Sequence, residues 1–448
     1  MSSASPTWDR ADLARRLCHA LEVAEQAVVR LAPDGYVDEI DPALNLRPEK
    51  VISETGVLLL AASTVNDQPV LSQRLDHLAH LLIPHARSPR MRMGICYEPA
   101  LALDYAQAHG CLRQMGYADS TFDALLSAAT QSQAFAVRER TPHRALEQRW
   151  VAELCGINDA LPGPSHYMLA SMSALGRPLD LLGGSREDLY AFTHALMYLT
   201  DPHSSRKRGP RRRADLLLDA EAALARCLDD EDYDLAGEVL MAWPLTGATW
   251  SASAAFAFQT LALVEDEAGF LPSAGTKLKH LDKLGGKQRS NCLLASAYHT
   301  IYVMGLLCAA SLAPGRAPPM RLCGRLSSPP GLVDEIYARL SPLDSAPHWS
   351  LAYARLAPSE RSTLVSFLHS VALRRAVRAR DLTTVHELLQ RAAAADLANG
   401  PLWSQAAELL ERAVVHVAQA ARLPDSAPAT HAIAVGHRTI FSLGERQS

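Results

Sequence analysis

The chain has 448 residues, of which 48% are hydrophobic and 21% charged, with a formal net charge of −4. Such totals supply a sizeable core, allow either two or three domains or one large helical domain, and give no general pull toward nucleic acid or membrane. The start, Met-Ser-Ser-Ala-Ser-Pro-Thr, is not a basic segment followed by an apolar one, and no uninterrupted apolar run reaches membrane-spanning length, so the expected location is the cytoplasm. Eight scattered cysteines without a Cys-x-x-Cys pair argue against a disulfide framework and against a cysteine-rich zinc site.

Apolar residues recur with a period near 3.6 almost throughout, and alternating strand patterns are absent. Helices are expected over about 8–31, 48–64, 68–84, 98–114, 120–136, 142–155, 165–175, 185–200, 211–229, 233–243, 249–265 and 288–312. Thr141-Pro142 marks one start, a capping residue followed by proline at the first helical position. Helices at 8–31, 142–155 and 211–229 carry charge along an outer face; Asp12, Arg15, Arg16, Glu22 and Glu25 form that face on the first. Leu161–Gly176, Trp243–Val264 and Asn291–Pro314 carry no Lys, Arg, Asp or Glu. A helix without a polar face needs protein all round it. Charged and uncharged helices in alternation predict an all-α protein with two layers, an α/α toroid with inner and outer rings. An irregular bundle or a superhelical array would also bury helices, but no fixed-period repeat supports an array.

Prolines 314, 318, 319, 329 and 330 interrupt the helical pattern. This gives a toroid-like region 1–314, a C-terminal helical segment 331–424 and a tail 425–448 expected to be poorly ordered. The C-terminal helices are expected near 331–340, 358–379, 381–396 and 401–423, with Arg374, Arg375, Arg378 and Arg380 exposed.

The candidate chemistry centres on Gly184–Asp201. Leu189, Phe192, Leu196 and Leu199 share one helical stripe, while Tyr190, His194, Tyr198 and Asp201 share the other. The second stripe lacks the long charged side chains of a solvent face, so its polar groups are expected to line an enclosed space. His194 titrates near neutrality and suits a general acid or base, with Asp201 to orient it or bind a cation. Tyr190 and Tyr198 add phenol donors. Asp234 and Glu238 sit four apart on one helix face and could hold a divalent cation, whereas Asp229–Asp232 reads as an exposed acidic turn. His299, beside Tyr298 in an uncharged helix, must be hydrogen-bonded or face a cavity. The Glu265–Gly275 stretch reads as a long turn at the rim of a pocket. His77, His80 and His85, with Asp76, lack the spacing of a metal site. Glu98, Asp104 and Tyr105 are weaker candidates. The basic loop Arg206–Arg213 could attract an anion, but without interleaved aromatics it does not read as a nucleic-acid surface. Walker, Gly-x-Ser-x-Gly and His-Glu-x-x-His motifs are absent.

The helix alternation, with the Gly269-Phe-Leu-Pro272 turn followed by Tyr298-His299-Thr300, resembles the α/α-toroid enzymes, among them terpenoid and lanthipeptide cyclases and many glycan-processing enzymes. The Asp-x-Asp-Asp, Asp-Asp-x-x-Asp and Cys/Cys/His sets of those enzymes are missing. Glu139-Arg-Thr-Pro-His-Arg-Ala-Leu-Glu-x-x-Trp150, Thr193–Asp201 and Asp234-Leu-Ala-Gly-Glu238 are similar to an uncharacterised bacterial helical family of unknown function. That likeness adds Arg144 and Glu147 to the candidate residues. The resulting expectation is a tailoring enzyme of small-molecule or peptide metabolism, of the cyclase, lyase or isomerase kind. His194, Asp201, Tyr198 and His299 would be catalytic. Tyr190, Tyr298, Arg144 and Glu147 would bind substrate, and Asp234 and Glu238 a divalent cation. The expected partner is a small-molecule or peptide substrate, with pairing of two copies left open. The rival is a non-catalytic helical scaffold, which needs dispersed polar residues and an exposed apolar groove to bind a peptide or protein.

Overall fold

In a computed structural model of the protein, residues 7–32, 35–36, 48–65, 69–157, 161, 163–201, 208–322, 331–340, 346–395 and 400–420 are described. The expected tail, and residues 202–207 and 323–330 within two other predicted features, lie outside them. The fold is all-α. The first part holds α1 (Arg10–Val29), α2 (Pro48–Ala62), α3 (Pro69–Ala86), α4 (Pro89–Tyr97), α5 (Ala102–Gln114), α6 (Ser120–Thr130), α7 (Pro142–Leu154) and α8 (His166–Met172). Next come α9 (Arg186–Thr200), α10 (Arg213–Asp229), α11 (Tyr233–Leu240), α12 (Ala242–Thr246), α13 (Ala252–Ala268), α14 (Leu278–Leu281) and α15 (Gly286–Ser311). The C-terminal group is α16 (Leu332–Leu340), α17 (His348–Ala354), α18 (Pro358–Arg361), α19 (Val365–Arg378), α20 (Leu382–Ala394) and α21 (Pro401–Ala420). One two-residue antiparallel ladder pairs Leu31–Ala32 with Gly35–Tyr36.

Short polar residues set several starts by accepting from backbone N–H groups that the helix itself leaves unpaired. Asp9 caps α1, Asp119 caps α6 and Asp232 caps α11. Ser185 and Asp188 form a reciprocal capping box on α9. Left-handed Gly269, at φ 78°, stops α13 where a side chain would strain the backbone.

Six helices form a circuit of neighbours: α2 packs on α5, α5 on α7, α7 on α9, α9 on α11, α11 on α15, and α15 back on α2. Others lie against this circuit, with α1 along α15, α3 on α1 and α2, α4 and α6 on α5, α8 on α7, and α10 and α13 on α11. One seam is set by the absence of a side chain. A Cβ on Gly56 would stand 2.9 Å from the Ala108 Cα, so α2 and α5 approach backbone to backbone there.

Helix α15, uncharged from Asn291 onward, is long and apolar enough to cross a membrane, which the sequence reading did not anticipate. Two-thirds (67%) of its most apolar stretch is nevertheless covered by protein. Absence of charge does not guarantee cover. Uncharged α8 leaves Tyr167, Met168 and Met172 each 54% exposed, because its seven residues pack against α7, α9 and the turn that follows and leave the other side to solvent.

Two charge assignments change. Arg16 is buried, and its guanidinium meets Asp12 at 2.8 Å, Asp266 at 2.9 Å and the Glu265 carboxylate, tying α1 to α13. The Glu265–Gly275 stretch is therefore not all turn, since its first four residues complete α13. A cavity of about 360 Å³ does lie beside it, lined by Cys18, His19, Glu265 and Gly269 among others. Of the expected acidic turn, Asp230 is exposed but Asp229 is covered, and both are paired with the C-terminal helices. Asp229 accepts from Arg375 at 2.5 Å and from the Trp349 indole at 3.2 Å. Asp230 pairs with Arg374 and, at 2.9 Å, with Arg378. Arg374 and Arg375, expected to be exposed, thus dock α19 onto α10, and α16, α20 and α21 build outward from α19 and α20.

Candidate functional site

The circuit's helices aim polar side chains at one another. Glu54 comes from α2, Arg144 and Glu147 from α7, Tyr190, His194 and Tyr198 from α9, Asp234 and Glu238 from α11, and Tyr298 and His299 from α15. Glu238 is the hub. Its Oε2 accepts from the Thr193 hydroxyl at 2.6 Å and lies 3.5 Å from His194 Nδ1, while its Oε1 lies 3.8 Å from His299 Nε2. His299 Nε2 is also 3.4 Å from Asp234 Oδ1, and its Nδ1 is 3.1 Å from Glu54 Oε2. Asp234 and Glu238 share a face because residues four apart do, and their helix packs directly on α15.

A second knot adjoins the first through Tyr190, whose ring lies on the His194 ring at 3.7 Å between centroids. Arg144 donates to Glu147 at 2.8 Å and to the Tyr190 hydroxyl at 3.1 Å, and the Tyr198 hydroxyl donates to Glu147 at 2.7 Å. His143, which sequence reasoning passed over, meets the Tyr190 ring edge-on at 6.1 Å. Burial, and then the charge of Arg144, push its pKa down to about 4.

The two site histidines differ in charge. Burial disfavours the charged form of His194 and carries its pKa below the usual value despite Glu238 and Glu147. Burial acts on His299 too, but the charges of Glu54 and Asp234 outweigh it and hold the ring protonated well above its usual range. Burial alone would protonate Glu238; His194, His299 and Thr193 reverse that and keep it ionised. Asp234 goes the other way, raised by burial and by the charge of Glu238 against the pull of His299 and Arg186. His194 Nδ1 lies 3.1 Å from the Tyr190 carbonyl, which can only accept, so Nδ1 carries the proton and Nε2 keeps its lone pair.

Of the predicted residues, His194, Tyr198, His299, Tyr190, Arg144, Glu147, Asp234 and Glu238 come together. Burial opposes the charge of Glu54; His299, Lys50 and then a hydrogen bond from Tyr298 overcome it, and through that bond Tyr298 joins the site. Asp201 does not join. Helix α9 ends at Thr200, and the Asp201 carboxylate accepts from the Trp150 indole at 2.6 Å. It therefore neither orients His194 nor faces the Asp234–Glu238 pair. Sequence reasoning missed Glu54, Thr193 and Arg186; Arg186 reaches Asp232 at 2.7 Å and Asp234 at 2.8 Å. The capping position of Asp232 and the i,i+4 spacing of Asp234 and Glu238 were legible, but no local pattern pairs them with Arg186.

The weaker candidates lie elsewhere. His80 Nδ1 meets the Asp76 carbonyl of its own helix at 2.7 Å. Tyr105 donates to Glu98 at 3.3 Å, and Asp104 accepts from Arg140 at 3.0 Å and Gln148 at 3.1 Å. In the basic loop, Arg206 and Lys207 fall outside the described residues, while Arg211 pairs with Asp219 and Arg212 with Asp215. Those two arginines are engaged within the chain. Among the described residues, the Asp234, Glu238 and His299 ligand atoms lie within 4.8 Å of one another, and these residues could hold a metal ion.

One protein family, a domain of unknown function designated DUF6895, matches residues 17–309, from α1 to the end of α15. No curated protein matches the chain. No solved structure matches it either.

Proposed function

The chain belongs to the DUF6895 family, a domain of unknown function, and we propose from its site that it is an enzyme doing acid–base chemistry on a small molecule or peptide. The chemistry is of the lyase, isomerase or cyclase kind, in tailoring metabolism. We read the six-helix circuit as the inner ring of a toroid, with the polar side chains facing its middle.

One observation carries the reading: His194 and His299 meet on a single buried glutamate, 3.5 and 3.8 Å away, where burial lowers the proton affinity of the first and the charges of Glu54 and Asp234 raise that of the second against burial. Groups whose surroundings push their proton affinities apart are what a site needs to take a proton at one atom and give one at another. His194 is the base, through Nε2, held in that tautomer by the Tyr190 carbonyl. Tyr190 is the donor. Its oxygen already accepts from Arg144, which leaves its own proton for a substrate, and burial keeps that proton on. Tyr198 spends its proton on Glu147 and serves to position it. A scaffold would instead scatter these groups; what favours it among the described residues is the exposed apolar side chains, such as those on α8 and Met93 and Tyr97 on α4.

The test is turnover. A library of small molecules and peptides is incubated in deuterated water with the wild-type protein and with His194→Asn, and products are read by mass spectrometry. Wild type should label or convert at least one compound, and the variant should do so on the order of 100-fold more slowly. Equal rates for both proteins would remove His194 from the chemistry.

A further inference from the structure

We infer that Asp234, Glu238 and His299 form a binding site for one divalent transition-metal cation. What the ion would do in a reaction rests on the enzyme reading above; that it binds does not. The ion would displace the proton from His299 Nε2, so the protonated His299 belongs to the metal-free protein.

Three observations carry this. First, Asp234 and Glu238 are each hydrogen-bonded from behind at one oxygen, a carboxylate lies behind the His299 ring, and the other donor atom of each faces the shared space. Arg186 holds Asp234 Oδ2 at 2.8 Å, and Thr193 holds Glu238 Oε2 at 2.6 Å. Glu54 stands 3.1 Å from His299 Nδ1. Outer partners of this kind, above all a carboxylate behind a histidine, fix the tautomer and direction of metal ligands. Second, the facing atoms are spaced for an ion rather than for one another. His299 Nε2 lies 3.4 Å from Asp234 Oδ1 and 3.8 Å from Glu238 Oε1, both beyond the usual N–H···O range. Donors bound at about 2.1 Å in a tetrahedron stand roughly 3.4 Å apart. Third, Asp234 Oδ1 is sealed from solvent without a hydrogen bond, which is costly for a carboxylate oxygen unless a cation meets it.

One imidazole and two carboxylates suit zinc, manganese or iron(II) better than calcium, which takes oxygen donors only, or copper(I), which prefers sulfur. Three protein ligands leave a coordination position for water or a substrate oxygen.

The full-length protein, stripped with a chelator and dialysed, is titrated with Zn²⁺ and separately with Mn²⁺ by calorimetry. We expect one ion per chain for at least one metal. Binding should weaken at least 100-fold in Glu238→Gln and in His299→Asn, and 10- to 100-fold in Glu54→Gln, which stands behind the histidine and is not one of the three ligands. Circular dichroism establishes that each variant folds, and Asp234→Asn replaces any that does not. Saturation by neither metal below millimolar concentration would overturn the proposal, as would folded variants that bind like wild type. Because no substrate is present, metal binding and turnover fail or succeed separately.

Discussion

Glu238 is buried amid two histidines and a threonine, and no single neighbour explains its charge. Its place amid Val239, Leu240 and Met241 made it legible, because a carboxylate in an apolar run needs a reason to be there. Glu54 was not legible. It follows Lys50 by four residues and does pair with it at 3.5 Å, so in sequence it reads as half of an ordinary surface pair. Asp201 was misread for a related reason: seven residues past His194 it falls on the same stripe, but the helix stops one residue earlier. The clearest pH effect at this scale lies at Asp12. Burial opposes its charge, yet hydrogen bonds from Trp8, Arg16 and Arg15 hold its pKa down at about 2, against 3.8 ordinarily. The folded value is the lower one, so the stabilisation is full above about pH 4 and is lost as pH falls toward 2. Asp12→Asn should cost about 1 kcal/mol at pH 7 once solvent screening of this partly exposed carboxylate is allowed for, and the gap from wild type in urea denaturation should close as pH drops through that window. A gap independent of pH would assign the loss to shape rather than charge.

At the scale of helices, the period of 3.6 located nearly every long element to within a few residues. Shorter pieces such as α4, α12, α14 and α17 escaped, since one or two turns barely establish a period. Lack of charge correctly marked the uncharged stretches of α13 and α15 as mostly interior and wrongly marked α8, where Ser and Met avoid charge without being covered. The approach of α2 to α5 at Gly56 offers a sharp test. Alanine there would gain up to about 1 kcal/mol of helix propensity but would press on the Ala108 backbone, at a cost of roughly 1–3 kcal/mol. Gly56→Ala should therefore lower Tm by a few degrees. Because the same helix carries Glu54 two residues away, it should also weaken any ligand bound beside Glu54 and His299. A variant as stable as wild type would mean that the seam has slack.

For the molecule as a whole, sequence alone predicted layers but not which helix neighbours which, because packing partners leave no mark on a single helix's pattern. The link between the two halves shows this. Asp229 and Asp230 looked like a solvated acidic turn, and the arginines of α19 like a solvated basic face, yet each is the other's partner. Removing Arg375 would leave Asp229 buried and poorly paired. Arg375→Ala should cost about 3 kcal/mol in chemical denaturation and open the C-terminal helices to limited proteolysis before the rest of the chain. Simultaneous cleavage throughout would show that the halves unfold as one unit.

Central to the account is the meeting of His194 and His299 on Glu238, and ring ¹⁵N spectra of the metal-free protein across pH read it directly. One histidine should remain neutral at pH 7 with its proton on Nδ1, the other should stay protonated well above the ordinary histidine range, and Glu238→Gln should shift both. Two histidines that titrate normally and ignore that substitution would contradict it.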